Sequence, residues 1–177
     1  MTVSFFLKAA GCGMVVAGTS GYGSWMAASY RQRLGMLVEL RQMIFLLKGQ
    51  IIYANAPLPE AFEAVGQRME GVLPEFFLQV ARRLDGQQGK TFCEIWKEEV
   101  AGISPEAPLA QTDRQSLAAL GEHLGYLDRD MQERNLLLYL EQLDLAISGL
   151  RDRQEEKCRL YTSLGVMGGL FLAVLVL

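Results

Sequence analysis

Few residues in this sequence have the types and spacing that chemistry requires, and the first to test is Gly86-Gln87-Gln88-Gly89-Lys90-Thr91, which ends as a phosphate-cradling loop ends. A Walker loop needs four residues between its glycines, so that backbone N–H groups wrap the phosphates, and it runs from a strand into a helix. Here two residues separate the glycines, Leu84 stands where the earlier glycine would be, and the preceding segment has helical spacing. Nucleotide binding on Lys90 is therefore not expected. His123 is the single histidine and has no cysteine or carboxylate cluster at ligand spacing, which argues against a metal site. Glu98 with Glu99, and Glu155 with Glu156, are neighbours along helical segments, where adjacent side chains diverge and cannot act as a dyad. Trp96 and Phe92 fit the buried stripe of a helix better than a stacking platform. These readings leave no catalytic, cofactor-binding or metal-ligating residue and predict a protein that is not an enzyme and works by contact. The one conspicuous surface feature is a locally acidic strip, Glu94, Lys97, Glu98 and Glu99, suited to docking a basic partner, although an ordinary solvated helix face is the simpler reading.

The elements that carry these residues are set by an uneven distribution of charge. All 20 acidic residues and all but one of the 17 basic ones fall between Arg31 and Arg159. The segment Ala9–Tyr30 is uncharged and about 33 Å long as a helix, enough to cross a hydrocarbon core of roughly 30 Å. It is dilute in large apolar residues, so a cleaved secretory signal is the alternative, but the run is long for a signal core and no tidy cleavage site follows it. Leu160–Leu177 is the stronger apolar segment and ends in Leu170-Phe171-Leu172-Ala173-Val174-Leu175-Val176-Leu177. The expected organisation is a first span within 1–30, a helical domain over 31–159 and a second span over 160–177. Arg31 and Arg33 on one side, and Arg151, Arg153, Lys157 and Arg159 on the other, place the positive flanks in the central domain, with Lys8 alone outside, and predict that the domain is cytoplasmic. Cys12, Cys93 and Cys158 are too few and too scattered for a disulfide framework. A net charge of −3, without basic stretches interleaved with aromatics, gives no reason to expect nucleic acid.

Within the central domain the apolar spacing is helical throughout. Leu37, Leu40, Ile44, Leu47 and Ile51 recur at threes and fours, predicting a long helix that continues the first span and stops before Pro57. Leu58, Ala61, Phe62, Val65 and Met69 mark a second helix, with Gly71 and Pro74 punctuating its end. Leu73, Phe77, Val80, Ala81 and Leu84 mark a third. Thr91 and Glu94 have capping-box spacing ahead of Phe92, Ile95, Trp96 and Val100. The stretch 102–111 reads as the longest loop. Thr112 or Asp113 is placed to cap a fifth helix bearing Leu117, Leu120, Gly121 and Leu124, which Gly125 helps to stop. Asp128 or Asp130 opens the last helix, where Leu136, Leu140, Leu143, Ile147 and Leu150 repeat the three-four spacing into the second span. The fold class is thus all-α, an antiparallel bundle of about six helices whose first and last long helices form a stem continuing into two transmembrane spans. The stripes Ala9, Gly13, Ala17, Gly21 and Gly165, Gly169, Ala173 have the small-residue spacing that lets such spans pair closely.

Several segments taken in order carry a resemblance to a known family. They are Ile51-Ile52-Tyr53-Ala54-Asn55-Ala56-Pro57-Leu58-Pro59-Glu60-Ala61-Phe62, Trp96, Leu120-Gly121-Glu122-His123-Leu124-Gly125, and Glu155-Glu156-Lys157 leading through Tyr161 to Leu164-Gly165-Val166-Met167-Gly168-Gly169-Leu170. Together they resemble the stage III sporulation protein AB family over essentially the whole chain, departing at Ala54 and Asn55, where the family more often has a glycine and a polar residue. The resemblance implies a platform component of the channel between mother cell and forespore in endospore formers, with a fold similar to the cytoplasmic domains of type II secretion and type IV pilus platform proteins. It also implies residence in the mother-cell membrane and partners in a cytoplasmic secretion-type ATPase, stage III sporulation protein AA, and in other channel subunits, and it leaves homo-oligomerisation open. The matching positions Tyr53, Pro57, Leu58, Pro59, Glu60, Trp96, Gly121 and Gly125 are expected to be structural. A platform or regulator of another secretion or pilus system is the alternative function.

Overall fold

In a computed structural model that describes residues 28–86, 89–125 and 128–176, with side chains as far as Arg153, the described residues form six helices and no strand. Residues 33–151 make up one compact unit; residues 28–32 and 152–176 belong to another. Helix α1 (residues 28–48) closes in a π-helical turn, Gly49–Tyr53, before the proline segment, as the sequence predicts. Asn55 then takes a left-handed φ of 53°, which a short polar side chain tolerates, and turns the chain into α2 (Leu58–Gly66). Pro59 sits in the first turn of α2, where its missing N–H leaves no bond unmade.

Two expectations about the next segment are corrected. Met69 lies beyond the end of α2, because the chain turns at Gln67 so that α3 (Val72–Asp85) packs back against it. Pro74 does not close α2; it is buried in the first turn of α3, a position that also lacks an intrahelical donor requirement. Gly71, at φ 143°, makes the entry that a residue with a Cβ would resist. Gly66 lets the two helices approach, since a Cβ there would come within 2.8 Å of Leu78 Cγ.

Helix α4 (Phe92–Gly102) opens with the expected capping box: Thr91 Oγ1 accepts from the Glu94 backbone at 3.3 Å, and the Glu94 carboxylate accepts from the Thr91 backbone at 2.8 Å. Helix α5 (Gln111–Leu124) starts earlier than its spacing suggests. Ala110 is the capping residue, and Asp113, one turn in, accepts from the Ala110 N–H at 2.9 Å. The same carboxylate, 9% exposed, takes two hydrogen bonds from the Arg33 guanidinium at 2.8 and 2.9 Å, pairing that offsets the cost of burying it. The preceding loop is held down by Ile103, Ala107 and Leu109, which are buried, and by Arg114 donating to the carbonyls of Ile103 and Ser104. Asp128 accepts from the Met131 N–H at 2.9 Å and caps α6 (Arg129–Val176).

Helices α1 and α6 run antiparallel within the compact unit, as the ion pairs crossing them require. Arg41 meets Asp144, Lys48 meets Glu133, and Arg129 donates to the Ile52 carbonyl, so partners descend α6 as they ascend α1. The predicted seams are the buried ones: Leu37, Leu40, Ile44, Leu47 and Ile51 on α1, and Leu136, Leu140, Leu143, Ile147 and Leu150 on α6. Met43 and Tyr139 join them.

The short helices converge on Trp96. Its ring lies 5.0 Å from Phe76, 5.5 Å from Phe62, 5.7 Å from Phe92 and 6.4 Å from Phe77, centroid to centroid, so α2, α3 and α4 share one aromatic core. Its Nε1–H donates to the Leu117 carbonyl on α5 at 2.7 Å, giving the buried indole its polar partner. Opposite it, Gly121 makes room for the ring: a Cβ there would stand 2.1 Å from Trp96 Cδ1. Gly125 has a similar role and does not act through a left-handed turn. Its φ is −84°, and a Cβ would meet Phe92 Cβ at 3.0 Å.

A Gly→Ala change inside a helix ordinarily stabilises by about 1 kcal/mol. Gly121→Ala should do the reverse, lowering the unfolding free energy by about 1–3 kcal/mol through overpacking against the indole. Gly35→Ala on α1, where a Cβ meets nothing within 4 Å, should keep the ordinary sign. Urea unfolding of the two variants in a Trp25→Phe background, followed by Trp96 fluorescence, compares them.

Candidate interaction surfaces

The segments singled out in the sequence divide into those that build the core and those left on the surface. Trp96 and Gly121 form one contact, and Phe92 and Gly125 a second, so two motifs far apart in sequence are the two sides of the α4–α5 junction. His123 is exposed on α5 and Cys93 is half-buried and free. Around Tyr53, Pro57, Leu58, Pro59 and Glu60 the chain makes the π-turn, the left-handed Asn55 and the entry to α2, which accounts for a rigid corner there.

The loop ending in Gly89-Lys90-Thr91 follows helix α3, not a strand, and Lys90 Nζ is engaged by the Glu98 carboxylate at 2.7 and 2.8 Å. That pairing belongs to a wider arrangement over α4. Arg83, near the end of α3, reaches Glu99 at 2.6 Å and also Glu98; Lys97 reaches Glu122 on α5 at 2.6 Å; Glu94 is occupied by its cap. The strip Glu94, Lys97, Glu98 and Glu99 is therefore tied to both neighbouring helices. Hydrogen bonds from Lys90 and then Arg83 hold the Glu98 carboxyl below the usual carboxylate range. The Thr91 backbone and hydroxyl do the same for Glu94, and Lys97 for Glu122.

A surface feature that helical spacing did not reveal lies along the stem. Phe45 is 55% and Tyr53 76% exposed, with the Lys48 ammonium 5.9 and 5.8 Å from their ring centroids, and Leu138 and Leu145 are exposed on α6. A second heptad, out of phase with the buried one, is present in the sequence at Met131, Leu138 and Leu145, and could have signalled this face.

Among residues with described side chains, no helix is long and apolar enough to cross a membrane. Both apolar segments fall elsewhere. Ala9, Gly13, Ala17, Gly21 and Cys12 lie outside the described residues, and Gly165, Gly169 and Ala173 belong to the helical backbone of α6 with their side chains outside the description, as does Cys158.

Comparison with known proteins decides the family. Residues 8–177 match the family described as stage III sporulation protein AB. The chain belongs to that family. Stage III sporulation protein AB of Bacillus subtilis (strain 168) is 25% identical over 173 residues, covering 97% of this chain and 99% of that protein. A solved structure of stage III sporulation protein AB (SpoIIIAB) superposes with a TM-score of 0.65 at 21% identity, over 71% of this chain and 98% of that one, and supports the helical fold. Family membership thus agrees with the resemblance carried by the Tyr53–Glu60 corner and the Trp96–Gly121 contact, and it ties the chain to sporulation.

The lowered carboxyls fix a sign for pH dependence. A carboxyl whose value falls on folding gives stability that is present above its unfolded value, near 4.5, and lost as pH drops through the folded one. Glu98→Gln should therefore be less stable than the parent at about pH 7, and the gap should close at about pH 3. Urea midpoints at the two pH values measure this.

Proposed function

We propose that the chain is a non-enzymatic, two-span membrane platform of the sporulation channel, with its helical domain in the mother-cell cytoplasm, where it joins a secretion-type ATPase to membrane channel subunits. The observation that carries this reading is α6. One helix, Arg129–Val176, holds both the buried Leu136–Leu150 seam and the apolar segment from Leu160 onward. The match over residues 8–177 supports the same reading, because it includes both apolar ends as well as the domain. The conspicuous polar residues add support of a different kind: Arg83, Glu98, Glu99 and Asp113 are engaged in ion pairs that hold helices together, and Lys90 in one that ties the turn before α4 to that helix. Surface contact is the activity this reading assigns.

Two measurements test the proposal in a sporulating host. A single cysteine introduced at exposed Glu63 should react with an impermeant maleimide only after protoplasts are opened; labelling of intact protoplasts would overturn the topology. Photocrosslinkers placed on the domain should yield an adduct with the secretion-type ATPase. Their failure at positions around all six helices, with the domain folded, would remove the ATPase from the proposal.

A further inference from the structure

One groove on the domain carries a charge opposite to that of the chain around it. It runs between α4, the loop that follows and the start of α5, and has a volume of about 550 Å³. Val100 and Ile103 lie at its floor, and the short side chains of Ala101 and Ala118, one on each helix, leave it open. Lys97 and Arg114 line it as well, and among the described residues that do so there is no carboxylate. The chain as a whole has a net charge of −3. A second groove, between α3 and α4, has the reverse character: its charged lining residues are Glu75 and Glu99, and each is matched by an arginine, Arg82 and Arg83.

The two cations of the first groove are held in different ways. Arg114 donates to the carbonyls of Ile103 at 2.9 Å and Ser104 at 2.6 Å, which engages two of its N–H groups without meeting a negative charge. Among the described residues no carboxylate pairs with it. Its head group is thus fixed while its charge is uncompensated, and a carboxylate arriving from outside meets a guanidinium that has little freedom left to lose. Lys97 does have a carboxylate, Glu122 at 2.6 Å, but the two side chains are 49% and 48% exposed. A pair so open to water contributes little, so Glu122 is exchanged for another carboxylate at small cost.

Their placement sets the spacing an occupant must match. The Arg114 head group is anchored at the Ile103 carbonyl, and Lys97 stands nearly two turns earlier on α4, about 9 Å away along the axis. Val100 lies between them. A single phosphate or carboxylate does not bridge that span. In an extended segment of the polyproline type, residues three apart lie on one side at about 9 Å, so acidic residues at those positions meet both cations. The residues between them then rest on Val100 and Ala118.

We propose that the groove formed by α4, residues 103–110 and the start of α5 is a docking site for an acidic, extended segment of a partner protein. One carboxylate binds Arg114, a second replaces Glu122 on Lys97, and the residues between make apolar contact with Val100 and Ala118. The site rests on this groove alone and is independent of the membrane topology and of the ATPase.

The test uses the full-length chain in phosphatidylcholine nanodiscs and short random peptides displayed on phage. Peptides retained by the chain should be enriched in Asp or Glu pairs three residues apart, and a fluorescein-labelled copy of one should bind more weakly as salt is raised. Gln115→Glu, which adds a carboxylate to the exposed rim and leaves Arg114 in place, should weaken that peptide at least about fivefold. Ala118→Phe, which fills the groove, should do the same. The matching charge change at exposed Gln142 on α6 should leave binding within about twofold. Circular dichroism verifies that each variant is folded, and the rim variant decides the matter by itself should Ala118→Phe not be. Retention of no peptide, or of basic or uncharged ones, overturns the proposal. So does an acidic peptide whose binding is unchanged by Gln115→Glu, because it then sits elsewhere. A photocrosslinker at Gln111 in native membranes separates the other occupants: its adduct should map to an acidic segment of another protein, and an adduct mainly with lipid or with a second copy of the chain overturns the assignment.

Discussion

The fold hangs on the contact between an indole and a missing side chain. Trp96 is fully buried at the centre of an aromatic core shared by α2, α3 and α4. It is fastened to α5 by two features of one short stretch: the Leu117 carbonyl accepts the indole N–H, and one turn later Gly121 leaves the space the ring occupies. The hydrogen bond fixes the orientation of the ring, and the glycine fixes the distance between the helices. Neither would suffice alone, since a bonded indole at the wrong distance loses its packing and a close approach without a partner strands a buried donor.

Around this junction the polar groups are used as fasteners. Arg83 joins α3 to α4, Lys97 joins α4 to α5, and Arg33 joins the start of α1 to the start of α5. The exposed pairs are individually weak, because solvent screens them. Their effect is directional: each draws together two helices that the apolar core already holds in contact, and so selects among near-equivalent packings. Arg33 with Asp113 differs in kind, since the carboxylate is buried and also serves the Ala110 N–H. Loss of the arginine would leave a buried charge with less than its full set of partners.

Much of this was legible in the sequence because the signals were local. The three-four spacing of Leu37–Ile51 and Leu136–Leu150 found the stem, and Thr91 with Glu94 found the start of α4, since a capping box involves residues only three apart. Errors arose where a local signal had two registers. Asp113 reads equally as a cap or as the third residue of a helix, and the choice depends on Ala110 and distant Arg33. Pro74 marks a boundary either way, and only the return of α3 against α2 puts it inside a first turn. Charge was hardest to read. Glu98 and Glu99 are adjacent and look like an acidic surface, but the cations that engage them come from α3 and from the turn before α4, which helical spacing along α4 cannot show.

The same engagement constrains how such a domain can act. The face over α4, where Glu98 and Glu99 are paired within the chain, offers little long-range attraction, and the short-range fit that a contact also needs is supplied by exposed apolar groups. Those groups are concentrated on the stem, where Phe45, Leu138 and Leu145 stand out from helices whose opposite faces are locked in the core. A side chain there cannot adapt by moving its backbone, because the helix beneath it is fixed by Leu40, Leu47, Leu136 and Leu143. The exposed stripe is therefore held in a fixed spacing. Rigid presentation lowers the ordering cost of any contact made there.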